Sequence, residues 1–150
     1  MSSSYQVFLD PPADFFPKVH AVGCYLVTHG RILILLRHPE KFQGSTWGVP
    51  GGKIEPGENP AKAVMREVEE EVGISLSQKD LRCLGQLFIR LTEVDYTFEI
   101  FTYNFTSLPQ VILEMKEHTD FGWFLPEEAK KLKLIQGGLE ALKFYQENTQ

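Results

Sequence analysis

The residues best equipped for chemistry lie in the stretch PGGKIEPGENPAKAVMREVEEEVGI, Pro50 to Ile74, where Glu67, Glu69, Glu70 and Glu71 crowd together just before Gly73. On a helix, at about 100° per residue, Glu71 and Glu70 fall about 40° and about 60° to either side of Glu67, so these three share a face while Glu69 points away. Like charges four residues apart destabilise a helix by roughly 0.2–0.5 kcal/mol. Acids in the last turn also oppose the helix macrodipole, by roughly 0.3–1 kcal/mol each. Arg66 reaches Glu70 at the i+4 spacing and is expected to leave Glu67 and Glu71 uncompensated. Two explanations stand: an acidic face dissolved in solvent, or a site for a hard divalent cation, which takes carboxylate oxygens together with water and substrate phosphate.

The element that must position these acids is marked at both ends. Asn59 is a favoured N-cap, Pro60 suits the first helical position and Gly73 can end a helix in the left-handed conformation, so a helix is predicted over Pro60 to Val72. Ala61, Met65, Val68 and Val72 are expected to form its buried stripe. Before the helix, GVPGGKIEPGE gathers Gly48, Gly51, Gly52 and Gly57, which lets backbone groups approach an ion or a phosphate. This is not a P-loop, because Gly57 is followed by Glu58 and no Gly-Lys-Ser/Thr closes it.

Gly52, Glu58 and the run from Arg66 to Ile74 resemble the signature of the Nudix hydrolases, without departure at nine specified positions over twenty-three residues, 52–74. The resemblance implies an α/β fold, a Nudix-type α/β/α sandwich in which a mixed β-sheet is flanked by helices. It implies metal-dependent hydrolysis of a diphosphate linkage in a nucleoside diphosphate derivative. Carried over by position, Glu67, Glu70 and Glu71 would bind Mg²⁺ or Mn²⁺, the backbone carbonyl of Gly51 would add a ligand, and Arg66 and Glu58 would orient the cluster. The chemistry suits the residue types: water must attack a phosphorus surrounded by anionic oxygens, and a metal both neutralises charge and acidifies the water. Glu67 is the first choice to accept the proton, with Glu70 and Arg66 beside it in the catalytic group.

The same family supplies weaker candidates. MutT-like members carry an arginine near the substrate phosphates where Arg37 stands, and a lysine where Lys53 completes Gly-Gly-Lys. They also place an extra glutamate near the metals where Glu117 lies, six residues before Trp123, with His118 as a substitute. Arg37, Lys53 and Trp123 are therefore expected on the substrate side and Glu117 on the metal side, each against the alternative of an ordinary surface or core residue. Markers of the ADP-ribose and diadenosine polyphosphate groups are missing where the chain reads Ile89-Arg90-Leu91-Thr92. By elimination the chain looks like a MutT-like enzyme cleaving a nucleoside triphosphate to a monophosphate and pyrophosphate. A nucleotide sugar or a dinucleotide as substrate, and a non-catalytic nucleotide-binding module, remain as alternatives. Phe88, Tyr96, Phe98, Phe101, Tyr103, Phe121 and Trp123 could stack a base, although aromatic residues at strand spacing more often fill a core.

Around the helix, residues 1–17 contain Pro11, Pro12 and Pro17 and read as an N-terminal arm or edge segment, with the Nudix domain over 18–150. A hairpin is expected from Val19 to Arg37 with its turn at His29-Gly30, then a short strand at Trp47-Gly48-Val49-Pro50. Further strands are expected in 81–92, 95–106 and 111–126, with a short helical turn near Glu127 to Leu132 and a helix over about Gln136 to Gln146. The 150 residues, 43% hydrophobic and 23% charged, suit one domain with a core of its own. Fifteen basic against twenty acidic residues give a net charge of −5, which speaks for a small nucleotide and against a polymeric nucleic acid. No apolar run approaches the roughly 20 residues of a membrane span. Cys24 and Cys83 form no metal or redox motif, as expected of a cytoplasmic protein, monomeric or homodimeric.

Overall fold

The computed structural model describes residues 4–150, so Met1 to Ser3 of the expected arm lie outside the described residues. The strands are β1 (Gln6–Phe8), β2 (Val19–Thr28), β3 (Arg31–Arg37), β4 (Trp47–Gly48), β5 (Gly51–Lys53), β6 (Arg82–Arg90), β7 (Asp95–Phe105) and β8 (His118–Phe124). The helices are α1 (Pro60–Val72), α2 (Pro126–Ala129) and α3 (Gly138–Glu147). One mixed sheet runs β1-β6-β7-β2-β3-β4, with β5 joined to β2 and β8 to β3. Its spine is the parallel pair β2/β7, in register from Val19↔Tyr96 to Thr28↔Phe105.

Alternation along these strands divides the apolar residues between two faces. Cys24, Leu26, Leu33, Leu35 and Phe101 turn toward α1, and Tyr25, Val27, Ile32, Ile34 and Ile100 turn toward α3. The result is the expected α/β/α layering.

The β2/β3 turn has positive φ at both central residues, 51° at His29 and 74° at Gly30, which suits the type I′ turn of tight hairpins. The two strands pair only beside that turn, at Val27↔Ile32 and Thr28↔Arg31. Farther along, β5 takes the edge of β2 at Ala21–Gly23 while β4 and β8 take β3. A hairpin opened in this way leaves room for a cavity between its strands.

Helix α1 keeps its expected bounds: Asn59 Oδ1 accepts the Lys62 N–H at 2.8 Å, and Gly73 closes the helix with φ 70°. Its buried stripe differs from expectation. Ala63, Val64, Val68, Glu71 and Val72 are buried, whereas Ala61 and Met65 are only partly covered. The positions 64, 68, 71 and 72 follow the i, i+4, i+7, i+8 pattern, so the sheet meets the helix beside the acidic face and takes Glu71 with it.

Residues 111–117 are likewise not strand. Ile112 N–H donates to the Val72 carbonyl and Glu114 N–H to the Glu71 carbonyl, both at 2.9 Å. The segment thereby satisfies carbonyls that the end of α1 leaves without helical partners, and β8 starts only at His118.

Of the two options for the arm, the described part takes the edge strand. β1 pairs antiparallel with β6 from Gln6↔Arg90 to Phe8↔Phe88. Beyond it, Phe15 is buried at 8% exposure, with its ring edge-on to Phe8 and Phe88. Among described residues before β2 it is the only buried side chain. Phe15→Ala is expected to lower the unfolding free energy by roughly 3 kcal/mol, as Phe-to-Ala changes in packed sites do. Urea denaturation checks this, and a change below about 0.5 kcal/mol, the range of ordinary surface substitutions, would show that the segment is only draped on the sheet.

Candidate active site

Glycine builds the site as much as glutamate does. β5 lies so close to β2 that a Cβ on Gly51 would overlap the Val22 carbonyl oxygen, and a Cβ on Gly52 would come within 2.5–2.6 Å of the Glu67 carboxylate. Such approach is open only to glycine. The Gly51 N–H donates to Glu71 Oε1 at 2.9 Å. Glu71 is 7% exposed, and Glu67 keeps 14% of its side chain exposed.

Burial raises the pKa of both carboxyls. For Glu71 burial is the main cause and the Gly51 N–H opposes it; the charges of Glu67 and Glu117 add to the rise, and that of Arg37 counters it. For Glu67 burial again leads, with the Arg66 guanidinium opposing, and a side-chain hydrogen bond joins Glu67 to Glu71. Two touching, partly dehydrated carboxyls require a proton or a cation.

Arg66 is the hub beside them. Its Nε and Nη2 bind Glu58 as a fork at 2.7 and 2.9 Å, Nη2 also reaches the Lys53 carbonyl at 3.0 Å, and Nη1 donates to Glu67 Oε1 at 2.9 Å. Contact with Glu70 is longer, 3.3 Å. The expectation that Arg66 serves Glu70 and leaves Glu67 uncompensated is thus corrected: β5 brings Arg66 and Glu67 together against one short strand. The hydrogen bonds from Arg66 hold the Glu58 pKa down to about 2. Glu69 stays on the exposed side and accepts from Ser75.

A cavity of about 570 Å³ opens on the other side of Gly51 and Gly52, within the range of small-molecule sites. Arg37, Lys53 and His118 line it, as do Lys41, Phe42 and Trp47, which the sequence reading did not single out. Trp47 precedes the glycine loop directly, and that adjacency was the available signal. Of the candidate stacking residues, Tyr96 and Phe98 line the cavity. Phe101, Tyr103 and Trp123 pack in the layer against α1. Trp123 is therefore corrected from a cavity residue to one on the opposite face, because its partner in the β3/β8 register is Leu33, whose side chain faces α1.

His118 is 4% exposed, and its Nδ1 has no hydrogen-bond partner among the described residues. Burial, aided by the Arg37 charge, pushes its pKa down to about 4. Glu117 pairs with Lys41 at 3.2 Å.

A divalent cation is the group these residues suit. Glu67 and Glu71 already meet as hard oxygen donors, raised in pKa and lacking a positive partner shared by both. The full expected set is not assembled: among the described residues no three acidic, histidine or cysteine side chains stand at ion-binding spacing. Glu70 is 58% exposed and turned to Arg66, and Glu117 is held by Lys41.

A family model described as "NUDIX domain" matches residues 17–146. The chain belongs to the NUDIX family, and its relatives place it among the MutT-like Nudix hydrolases. An 8-oxo-dGTP diphosphatase from Proteus vulgaris is 39% identical over 62 residues, 41% of this chain and 55% of the relative, so that match spans about half of the relative's length. A CTP pyrophosphohydrolase from Escherichia coli is 26% identical over 129 residues, 85% of this chain and 90% of its own. The solved structure of a MutT protein from Methanosarcina mazei is 26% identical with a TM-score of 0.76, covering 89% of this chain and 97% of that one.

The fork holds the Arg66 guanidinium against Glu58, and lysine cannot reproduce its two parallel N–H bonds. Arg66→Lys is expected to lower kcat by about 10–100-fold, the usual cost of disturbing groups that orient metal ligands. Steady-state kinetics beside a melting curve checks this; an unchanged kcat would reduce the fork to a surface ion pair.

Proposed function

We propose that the protein is a divalent-cation-dependent pyrophosphohydrolase that cleaves nucleoside triphosphates, in the manner of MutT, to a monophosphate and pyrophosphate. One observation carries this reading. The joined carboxyls of Glu67 and Glu71 lie against Gly51 and Gly52, which also wall a cavity lined by Arg37, Lys41 and Lys53. A carboxyl pair that a cation would neutralise thus borders three basic side chains, of which Lys41 is paired with Glu117. The printed activity of the Escherichia coli relative, a CTP pyrophosphohydrolase matched along most of both chains, supports a triphosphate substrate.

Glu67, Glu70, Glu71 and the Gly51 carbonyl would hold Mg²⁺ or Mn²⁺, with Glu117 near enough for its charge to act on Glu71. The bound ion supplies charge neutralisation at phosphorus and a more acidic water. Glu67 is the base, and Arg66 fixes one of its oxygens. Arg37 and Lys53 bind the phosphates, and Glu58 keeps Arg66 in place. His118 remains neutral near pH 7 and adds no charge to the phosphate side.

The test is a panel of nucleoside triphosphates, nucleotide sugars and dinucleotides with Mg²⁺, read by product identity. A monophosphate plus pyrophosphate from triphosphates is expected; tight binding without turnover across the panel would falsify the hydrolase reading. Glu70→Gln should lower kcat by about 100-fold or more while leaving the metal-free melting temperature unchanged or slightly higher, since it removes an exposed charge from a crowded helix end. Mg²⁺ should raise the wild-type melting temperature more than that of Glu70→Gln, because a ligand stabilises the state that binds it. Equal shifts would remove Glu70 from the cation site.

A further inference from the structure

Leu134, Ile135, Gln136, Gly137 and Gly138 line the cavity in unbroken succession, along the segment that leads from α2 into α3. One edge of this wall is bound to β4 and to the loop before it. Trp47 N–H donates to the Lys133 carbonyl and Ile135 N–H to the Trp47 carbonyl, both at 2.9 Å, and Gln136 N–H donates to Gln43 Oε1 at 2.8 Å. At Gly137 the chain turns with φ 87°, and α3 opens there without a side-chain cap.

The other edge rests on the N-terminal arm. The Tyr5 hydroxyl donates to the Glu140 carboxylate, in the first turn of α3, with its oxygens at 3.0 and 3.1 Å. Burial and Glu140 raise the pKa of this phenol, and a hydrogen bond from the Gly137 backbone lowers it. A Cβ on Gly137 would lie 3.2 Å from Ile89 Cδ1 and 3.8 Å from Val7 Cγ2, so the turn sits directly on β6 and β1. Those two strands are themselves paired. Tyr5 packs on the core layer facing α3 and does not line the cavity.

We propose that Tyr5 is a positioning residue: through Glu140 and Gly137 it holds the wall of residues 134–138 in place, so that ligand affinity depends on an arm outside the cavity. This rests on the pyrophosphohydrolase reading for the identity of the ligand. A wall tied along one edge alone is free to swing about that edge. Only molecules with the wall in place then bind at full strength, and apparent affinity falls with their fraction. Glu67 and Glu71 are held by α1 and β5, so a loosened wall weakens binding without slowing the bound complex.

The test compares the full chain with Tyr5→Phe, which keeps the ring and removes the hydroxyl, with Glu140→Gln, and with the double variant. Amide hydrogen exchange over residues 134–138 should be about 10-fold faster in Tyr5→Phe, the scale of one lost hydrogen bond to a carboxylate. Exchange in α1 and the melting temperature should hold. With Mg²⁺, the Kd of a non-hydrolysable CTP analogue and the KM for CTP should each rise by about 3- to 10-fold at unchanged kcat, as a smaller competent fraction requires. Glu140→Gln keeps an acceptor oxygen and should lose less, and adding it to Tyr5→Phe should change little further, as expected of coupled partners. Unchanged exchange over the wall, or faster exchange with equal analogue affinity, including none in either protein, would overturn the proposal. Faster exchange in α1 as well would reduce Tyr5 to a fold-stabilising contact and overturn it too. A faster wall and weaker analogue binding, with no turnover in any of the proteins, would support the positioning role and sink the hydrolase reading alone.

Discussion

Glu67 and Glu71 are in contact beneath two glycines that have no room for a side chain, and burial makes both reluctant to carry charge. Much of the local structure follows from holding them there. Val64, Val68 and Val72 fix α1 on the sheet with no surface exposed, so the acids cannot relieve their repulsion by moving the helix. Glu114 N–H engages the Glu71 carbonyl and Ile112 N–H that of Val72, which secures the turn from which the acids project. Arg66 answers part of the charge, and the Glu58 fork keeps it from swinging into solvent. A guanidinium suits this role because it remains protonated and its planar fork matches a carboxylate.

The opened β2/β3 hairpin joins this cluster to the cavity. Strands that paired along their length would bring β2 and β3 together and leave no space between them. Here β5 closes part of the gap from one side with three residues, Gly51 to Lys53. That strand offers Glu71 an N–H, Arg66 a carbonyl and the cavity a lysine. A displacement of β5 would therefore disturb the acid cluster, Arg66 and the cavity together, since Gly51 lies against the Val22 carbonyl and Gly52 against the Glu67 carboxylate.

Local rules made some parts of this arrangement legible in sequence. Asn59, Pro60 and Gly73 marked both ends of α1, and His29-Gly30 marked the hairpin, because caps and tight turns are decided by the residues that form them. The family pattern singled out Glu58 and Arg66, but the fork between them is visible only in the structure. What stayed hidden depends on pairing between distant segments. Whether Trp123 faces the cavity or α1 is set by its register opposite Leu33, ninety positions earlier, and a shift of one residue would reverse the answer. The 111–117 segment has a strand-like composition, yet its N–H groups go to the end of a helix. The buried side of α1 differs from the apolar pattern for a related reason: Glu71 falls inside the buried stripe, which turns it away from Ala61 and Met65.

Glu71 and Glu70 illustrate how neighbouring acids on one helix turn come to differ. Glu71 is enclosed, held by Gly51 and influenced by Glu67, Glu117 and Arg37. Glu70 is largely in water and touches only the outer edge of the arginine. A cation approaching the joined pair must compete with Arg66 for Glu67, since Nη1 already occupies one of its oxygens. Binding through protein groups alone is weakened by that competition. Mg²⁺ commonly takes only one or two carboxylates and completes its shell with water and substrate phosphate. Should a divalent cation bind here, an arginine that restrains the acids would favour one arriving with its phosphate ligands.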